Sequence, residues 1–169
     1  MRSACDAAVP ERVRDVIIAR LGRLTELARM VVNVAAVIGR EFDFPLLRTA
    51  AALDDDNAAT AVEELVRRRV FRFADERFDF GHDRIRGVAL AEILPPRRRI
   101  LHRQVADALH ALGGGRRDRD WAALASHCRE AGLWPRAAEA FREAGRSASV
   151  RSAEPARPLS LLSAPSSAR

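Results

Sequence analysis

Residues 54–94, DDDNAATAVEELVRRRVFRFADERFDFGHDRIRGVALAEIL, change hydrophobic period twice. Asp54, Asp55, Asp56 and Asn57 form a turn and helix-cap cluster. A helix is expected from there to about Arg69, with Ala58, Ala61, Val62, Leu65 and Val66 on one side. Val70, Phe71, Arg72 and Phe73 then alternate, Ala74 to Arg77 turn, and Phe78, Asp79 and Phe80 alternate again, which reads as a β-hairpin. Helical spacing resumes at Gly81-His82-Asp83 and carries Ile85, Val88, Ala89 and Ile93.

Upstream, Val9-Pro10-Glu11 opens a helix bearing Val13, Val16, Ile17, Leu21 and Leu24. Thr25 caps a second one, whose Leu27, Met30, Val31, Val34, Ala35 and Ile38 make a broad apolar face that Gly39 ends. A short helix is expected from about Pro45 to Leu53. Downstream, Pro95-Pro96 opens a helix with Leu101, Val105, Ala108, Leu109 and Leu112. The run Gly113-Gly114-Gly115 connects it to helices expected at about Asp120–Ala131 and Pro135–Ser147. The fold class expected is all-α with one small β-hairpin. Helix, turn, helix and hairpin make a winged-helix-like domain over residues 9–94, behind an N-terminal lead of residues 1–8. Residues 95–149 form a helical linker and a tetratricopeptide-like helical hairpin, and residues 150–169, rich in Ser, Pro, Ala and Arg, are expected as a disordered tail.

Composition narrows the chemistry. The 169 residues carry 29 basic and 23 acidic side chains, and every basic one is Arg. The absence of Lys excludes a phosphate-loop lysine and a Schiff base; the absence of Tyr excludes tyrosine chemistry. Residues 1–94 carry a net −1 and residues 95–169 a net +7, so the basic excess belongs to the second half. Cys5 and Cys128 stand far apart, so no disulfide framework is expected and a cytoplasmic, reducing location is the default. No secretory signal stands at the start, and the apolar run Met30–Ile38, broken by Asn33, is far shorter than the ~20 residues a membrane helix needs.

Three blocks carry a resemblance. Residues 9–44, VPERVRDVIIARLGRLTELARMVVNVAAVIGREFDF, resemble the segment that follows the nucleotide-binding core in STAND-type signal-transduction ATPases. Residues 78–90, FDFGHDRIRGVAL, resemble their F-x-H-D-x-I-R block. Residues 94–109, LPPRRRILHRQVADAL, and 124–145, LASHCREAGLWPRAAEAFREAG, resemble the helical entry to their tetratricopeptide-like repeats. Large LuxR-type transcriptional regulators and cyclase-fused ATPases are such proteins. No G-x-x-x-x-G-K-[ST] exists here, so no catalytic residue or cofactor is assigned to this chain. The resemblance implies a parent that binds ATP and ADP, with the ATPase core upstream of Met1 and further repeats downstream.

It also implies a site. His82-Asp83 matches the His-Asp pair that, in such switches, closes the winged helix over bound ADP. A strand-to-helix junction favours an anion, because free N–H groups and the helix dipole point at it. The imidazole of His82 can donate to a phosphate oxygen, or it can simply cap the helix beside Phe80. Asp83 in the first turn favours the helix and can cap it. Arg86 matches the family arginine, and either pairs with Glu92 or Asp79 or faces the ATPase core.

The remaining motifs read as structure. Acid crowds the front of the fourth helix at Asp54–Asp56, with Glu63 and Glu64 adding repulsion, against DNA reading by that helix. Arg97, Arg98 and Arg99 fan around their helix rather than forming one row, with acidic neighbours expected to compensate. His102, His110, His127 and Cys128 lack metal-ligand spacing and read as packing residues.

The functional expectation is a non-catalytic regulatory segment that couples a nucleotide-binding core to a helical-repeat sensor. Its partners would be those two neighbours and other protein, with no membrane. The alternatives are a stand-alone winged-helix DNA-binding protein and a helical-repeat interaction scaffold.

Overall fold

The computed structural model describes residues 11–113 and 120–153; the lead 1–8, most of the Gly-rich connector and residues 154–169 lie outside them. The described chain is mostly helical with a small three-stranded antiparallel sheet. Its order is α1 (Glu11–Gly22), α2 (Glu26–Ile38), β1 (Glu41–Phe42), α3 (Phe44–Ala51), α4 (Asp55–Arg67), β2 (Phe71–Ala74), β3 (Arg77–Phe80), α5 (Asp83–Glu92), α6 (Pro95–Leu112), α7 (Trp121–Glu130) and α8 (Trp134–Ala153).

Capping residues set the boundaries. The Thr25 hydroxyl accepts from Ala28 N–H, the Asp43 carboxylate from Leu46 N–H, and Asp54 from Asn57 N–H. The Asn57 main-chain bond is the largest reason that the Asp54 carboxyl lies below its ordinary pKa. The fourth helix ends two residues before the expected Arg69. There Arg69 turns left-handed (φ 57°), Val70 N–H bonds to Leu65 C=O and Arg69 N–H to Val66 C=O. That is the closed C-terminal turn usually built on Gly, here made with Arg. Between α7 and α8, Gly132 (φ 76°) makes the same turn. α8 continues to Ala153, past the expected end at Ser147 and into the expected tail.

The core is centred on α2, which is apolar around most of its circumference. Ala28, Val31, Val32, Val34, Ala35, Ala36 and Val37 are all buried, and α3, α4, α5 and α6 pack around them. α1 lies against α5, with Ile17 in the core and Val13, Ile18 and Leu21 packed on it, and Arg14–Glu92 (3.0 Å) bridges the two helices at the surface. A strand that periodicity did not predict, β1, pairs with β3, giving the order β1-β3-β2. The hairpin turns on Asp75 and Glu76, both left-handed, as a two-residue turn that follows strand twist. Phe42, Phe71 and Phe80 pack edge to face across the three strands, with centroids 5.1 Å apart for Phe42–Phe71 and for Phe71–Phe80. A second, smaller apolar cluster joins α6, α7 and α8 through Ala106, Trp121, Leu124, Ala125, Cys128, Ala137 and Ala140. α6 serves both clusters, because its Leu101, Val105 and Ala108 belong to the first.

Glu64 corrects an expectation. It does not add repulsion to an outer face: it is buried (7% exposed) at i+3 from Ala61 and next to Leu65. Its carboxylate accepts from the Thr25 hydroxyl (2.6 Å), the Thr25 N–H (3.3 Å) and Arg68 Nε (3.1 Å). The Thr25 hydroxyl bond is the largest cause that holds its pKa below 4.5; burial opposes it. A carboxylate with a lowered folded pKa contributes stability above its ordinary pKa that is lost as pH falls through the folded one. Glu64→Gln should therefore lower the melting temperature at pH 7 and flatten its fall below pH 4.5. A variant whose acid limb matches wild type would show that Glu64 adds nothing to it.

Candidate functional site at the start of α5

Strand β3 hands over to α5 through Gly81 and His82. Gly81 N–H bonds to Val70 C=O at 2.9 Å. A Cβ on Gly81 would meet the Arg69 carbonyl oxygen at 2.9 Å, so only Gly lets the strand end pass this close to the turn after α4. That close passage fixes where His82 stands.

His82 is extended (φ −157°, ψ 133°) and caps α5. Its Nδ1 accepts from Arg84 N–H at a long 3.4 Å. With Nδ1 as acceptor, the neutral ring carries its proton on Nε2, where it can donate outward. The side chain is exposed at a helix N-terminus. Asp83 is not the cap; its carboxylate pairs with Arg40 at 3.2 Å, both groups well exposed. His82, Asp83 and Arg40 thus form one surface with an imidazole, an ion pair and the open end of α5.

Arg86 corrects another expectation. It pairs neither with Glu92, which takes Arg14, nor with Asp79, which takes Arg72. Its Nε donates to the Ala36 carbonyl at 3.1 Å, in the last turn of α2. A cation there meets the negative end of the α2 dipole. The half-buried Arg86 therefore keys α5 to the central helix and sets the orientation of the surface that His82 caps.

The arginines of α6 divide in role. Arg98 is compensated by main chain rather than by acids: it donates to the carbonyls of Leu90 (2.6 Å) and Ile93 (3.4 Å), which close α5. Arg97 lines an open groove of about 640 Å³ with Glu26, Leu27, Arg29, Met30 and Asn33. On α4, Asp55, Asp56 and Glu63 are exposed. The carboxylates at 55 and 56 stand in its first turn.

Sequence spacing joins none of the histidines, but in the fold two of them meet. His102 Nδ1 and His127 Nδ1 lie 2.9 Å apart. They stand 25 positions apart on different helices, with no local signal to join them. Cys128 is a buried free thiol, and its desolvation raises its pKa. Among the described residues no three His, Cys, Asp or Glu side chains form a group able to hold a metal ion. None of the described helices is long and apolar enough to cross a membrane.

No family model matches the chain, and no solved structure matches it. The chain is 37% identical over 143 aligned residues to an uncharacterized protein of Rhizobium meliloti (strain 1021). That alignment covers 78% of this chain but 13% of the relative, so the chain matches a small part of a much longer protein.

Proposed function

We propose that this chain is a non-catalytic regulatory segment of a STAND-type signal-transduction ATPase or transcriptional regulator, coupling a nucleotide-binding core to a helical-repeat sensor. The observation that carries the reading is the element order α2, β1, α3, α4, β2, β3 with sheet order β1-β3-β2. Helix–turn–helix followed by a hairpin is a winged helix, and the short strand between its first two helices completes the sheet. α7 and α8, closed by a Gly turn, then supply a tetratricopeptide-like hairpin. The small share of the long relative that is matched suits a module within a larger protein.

In this reading His82 and the N-terminus of α5 face the phosphates of ADP in the closed state. The two states differ in whether that surface meets nucleotide, which is the differential contact a ligand-driven switch requires. We weigh DNA reading lower, because Asp55, Asp56 and Glu63 are exposed on α4, the helix that would have to enter a groove, and like charge opposes that approach.

One experiment tests the whole reading. The chain is expressed alone and also in frame behind the phosphate-loop domain expected upstream. Alone, it should neither turn over ATP nor retain nucleotide; joined, it should carry ADP through purification. ATP turnover that follows the lone chain through successive columns would overturn the proposal. So would a joined protein that holds nucleotide no better than the core alone. Nanomolar, sequence-selective DNA binding by the lone chain at physiological salt would select the DNA-binding alternative.

A further inference from the structure

α8 carries two apolar faces. Ala137, Ala140 and Ala144 turn one of them into the cluster shared with α6 and α7. Trp134, Ala138, Phe141, Gly145 and Ala148 make the other, and all five are exposed, Trp134 at 67% and Phe141 at 47%. Their spacing is 4, 3, 4 and 3, which is the heptad spacing of a seam where one helix meets another. At 1.5 Å per residue the seam is about 21 Å long.

Gly145 is a second, independent sign. It stands inside α8, where Gly is unfavourable, and a Cβ built there meets no atom within 4 Å. The single chain therefore gives no packing reason for Gly at this position. A missing side chain serves where a second helix brings a bulky group close.

We propose that the seam is the interface of a twofold dimer, in which α8 of one copy lies antiparallel on α8 of a second copy of this chain. Residue sizes set the register. Trp134 and Phe141 take one of the two alternating seam positions, and Ala138 and Gly145 take the other. Antiparallel helices place one kind of position opposite the other. With Trp134 against Gly145 of the second copy, Ala138 falls against Phe141. Both contacts share one centre, between residues 139 and 140, so the twofold axis repeats them. Each layer then pairs a large side chain with a small one. Parallel helices would set Trp134 on Trp134 and Gly145 on Gly145, crowding one layer and emptying the other.

The flank of the seam agrees in charge. Glu139 and Arg142 are exposed and, among the described residues, neither forms an ion pair; Arg142 Nε donates to the Ala138 carbonyl at 3.3 Å. The same register brings Arg142 of each copy alongside Glu139 of the other. At the exposures given, the Trp134 and Phe141 rings of both copies withdraw on the order of 500 Å² from water. With the small and flanking residues between them, the contact falls at the low end of specific interfaces, so the dimer should dissociate in the micromolar range. This dimer does not rest on the nucleotide reading above.

Sedimentation of the full chain over about 1 to 200 μM, a range that brackets micromolar dissociation, tests it. A monomer–dimer equilibrium is expected. Tryptophan emission should move to the blue as concentration rises, because Trp134 leaves water while Trp121, 9% exposed, is already out of it. Gly145→Leu is the decisive variant. It fills open space in the single chain and puts a good helix former inside α8, so its helical melting should come no earlier than in wild type. In the antiparallel register the new side chain meets Trp134 of the second copy, and dimerisation should weaken at least about tenfold. In a parallel pair it would fill the empty layer and tighten the dimer, which overturns the proposal. Phe141→Ala trims a half-exposed ring at little cost to the single chain. It should also weaken the dimer about tenfold or more, and it decides should the Leu variant fail to fold. A chain that stays monomeric across the range leaves the seam to a helix of another kind and overturns the proposal. So does a dimer that a folded Gly145→Leu leaves unchanged.

Discussion

Replacing Phe80 by Ala should destabilise the chain by about 3–5 kcal/mol, the usual cost of emptying a buried aromatic position. Phe80 is 1% exposed and packs edge to face against Phe71, with Phe42 beyond. It is the last residue of β3, so its ring anchors the strand that leads through Gly81 to His82. A domain of this size should lose very roughly 2–4 °C of melting temperature per kcal/mol, and the urea midpoint should fall with little change in slope. Phe73 is the internal control. It lies on the same hairpin but is 60% exposed, so Phe73→Ala should cost well under half as much. Urea unfolding of the two variants side by side checks this. If Phe80→Ala costs no more than Phe73→Ala, the aromatic stack is not what joins the sheet to the helices.

How much of this was legible in the sequence follows from the range of each signal. Helix starts were legible at Thr25, Asp54 and Pro95, where a capping oxygen or Pro marks them, because the bonds that fix them span three or four residues. The hairpin was legible from alternating Phe residues on either side of a short turn. β1 was not, because two residues, Glu41 and Phe42, carry no period; the strand exists because β3 offers it a partner. Glu64 is buried despite its charge, because charge alone does not decide exposure. Its position at i+3 from Ala61 put it on the buried stripe, and the compensating Thr25 lies 39 positions away. The same distance problem hid the carbonyls that hold Arg86 and the meeting of His102 with His127. Periodicity tells which face turns inward, but not which distant group will meet a polar side chain there. The candidate site was readable as a strand-to-helix junction at Gly81-His82. Its frame, made by Arg86 on α2 and Arg40 on Asp83, was not.

The frame matters for the second large effect, which rests on the function proposed above. In a protein that joins this segment to its nucleotide-binding core, His82→Ala should weaken ADP binding about ten- to a hundredfold. A hydrogen bond to a charged partner is worth about 1.5–3 kcal/mol, and each ~1.4 kcal/mol is a decade of affinity. The geometry gives His82 a free donor, because Nδ1 is turned back to Arg84 N–H and the outward nitrogen is Nε2. Asp83→Ala should do less to ADP. Asp83 holds the exposed Arg40 and adds favourable charge to the first turn of α5, worth about 0.3–1 kcal/mol of helix stability. Losing it also frees Arg40 for an anion, so its net effect on affinity should be small. Calorimetric titration of ADP into both variants, with circular dichroism to confirm the fold, separates the roles. Equal losses in the two variants would mean that the helix end as a whole, and not the imidazole, meets the phosphate. Unchanged affinity in a folded His82→Ala would leave His82 as the cap of α5 and nothing more.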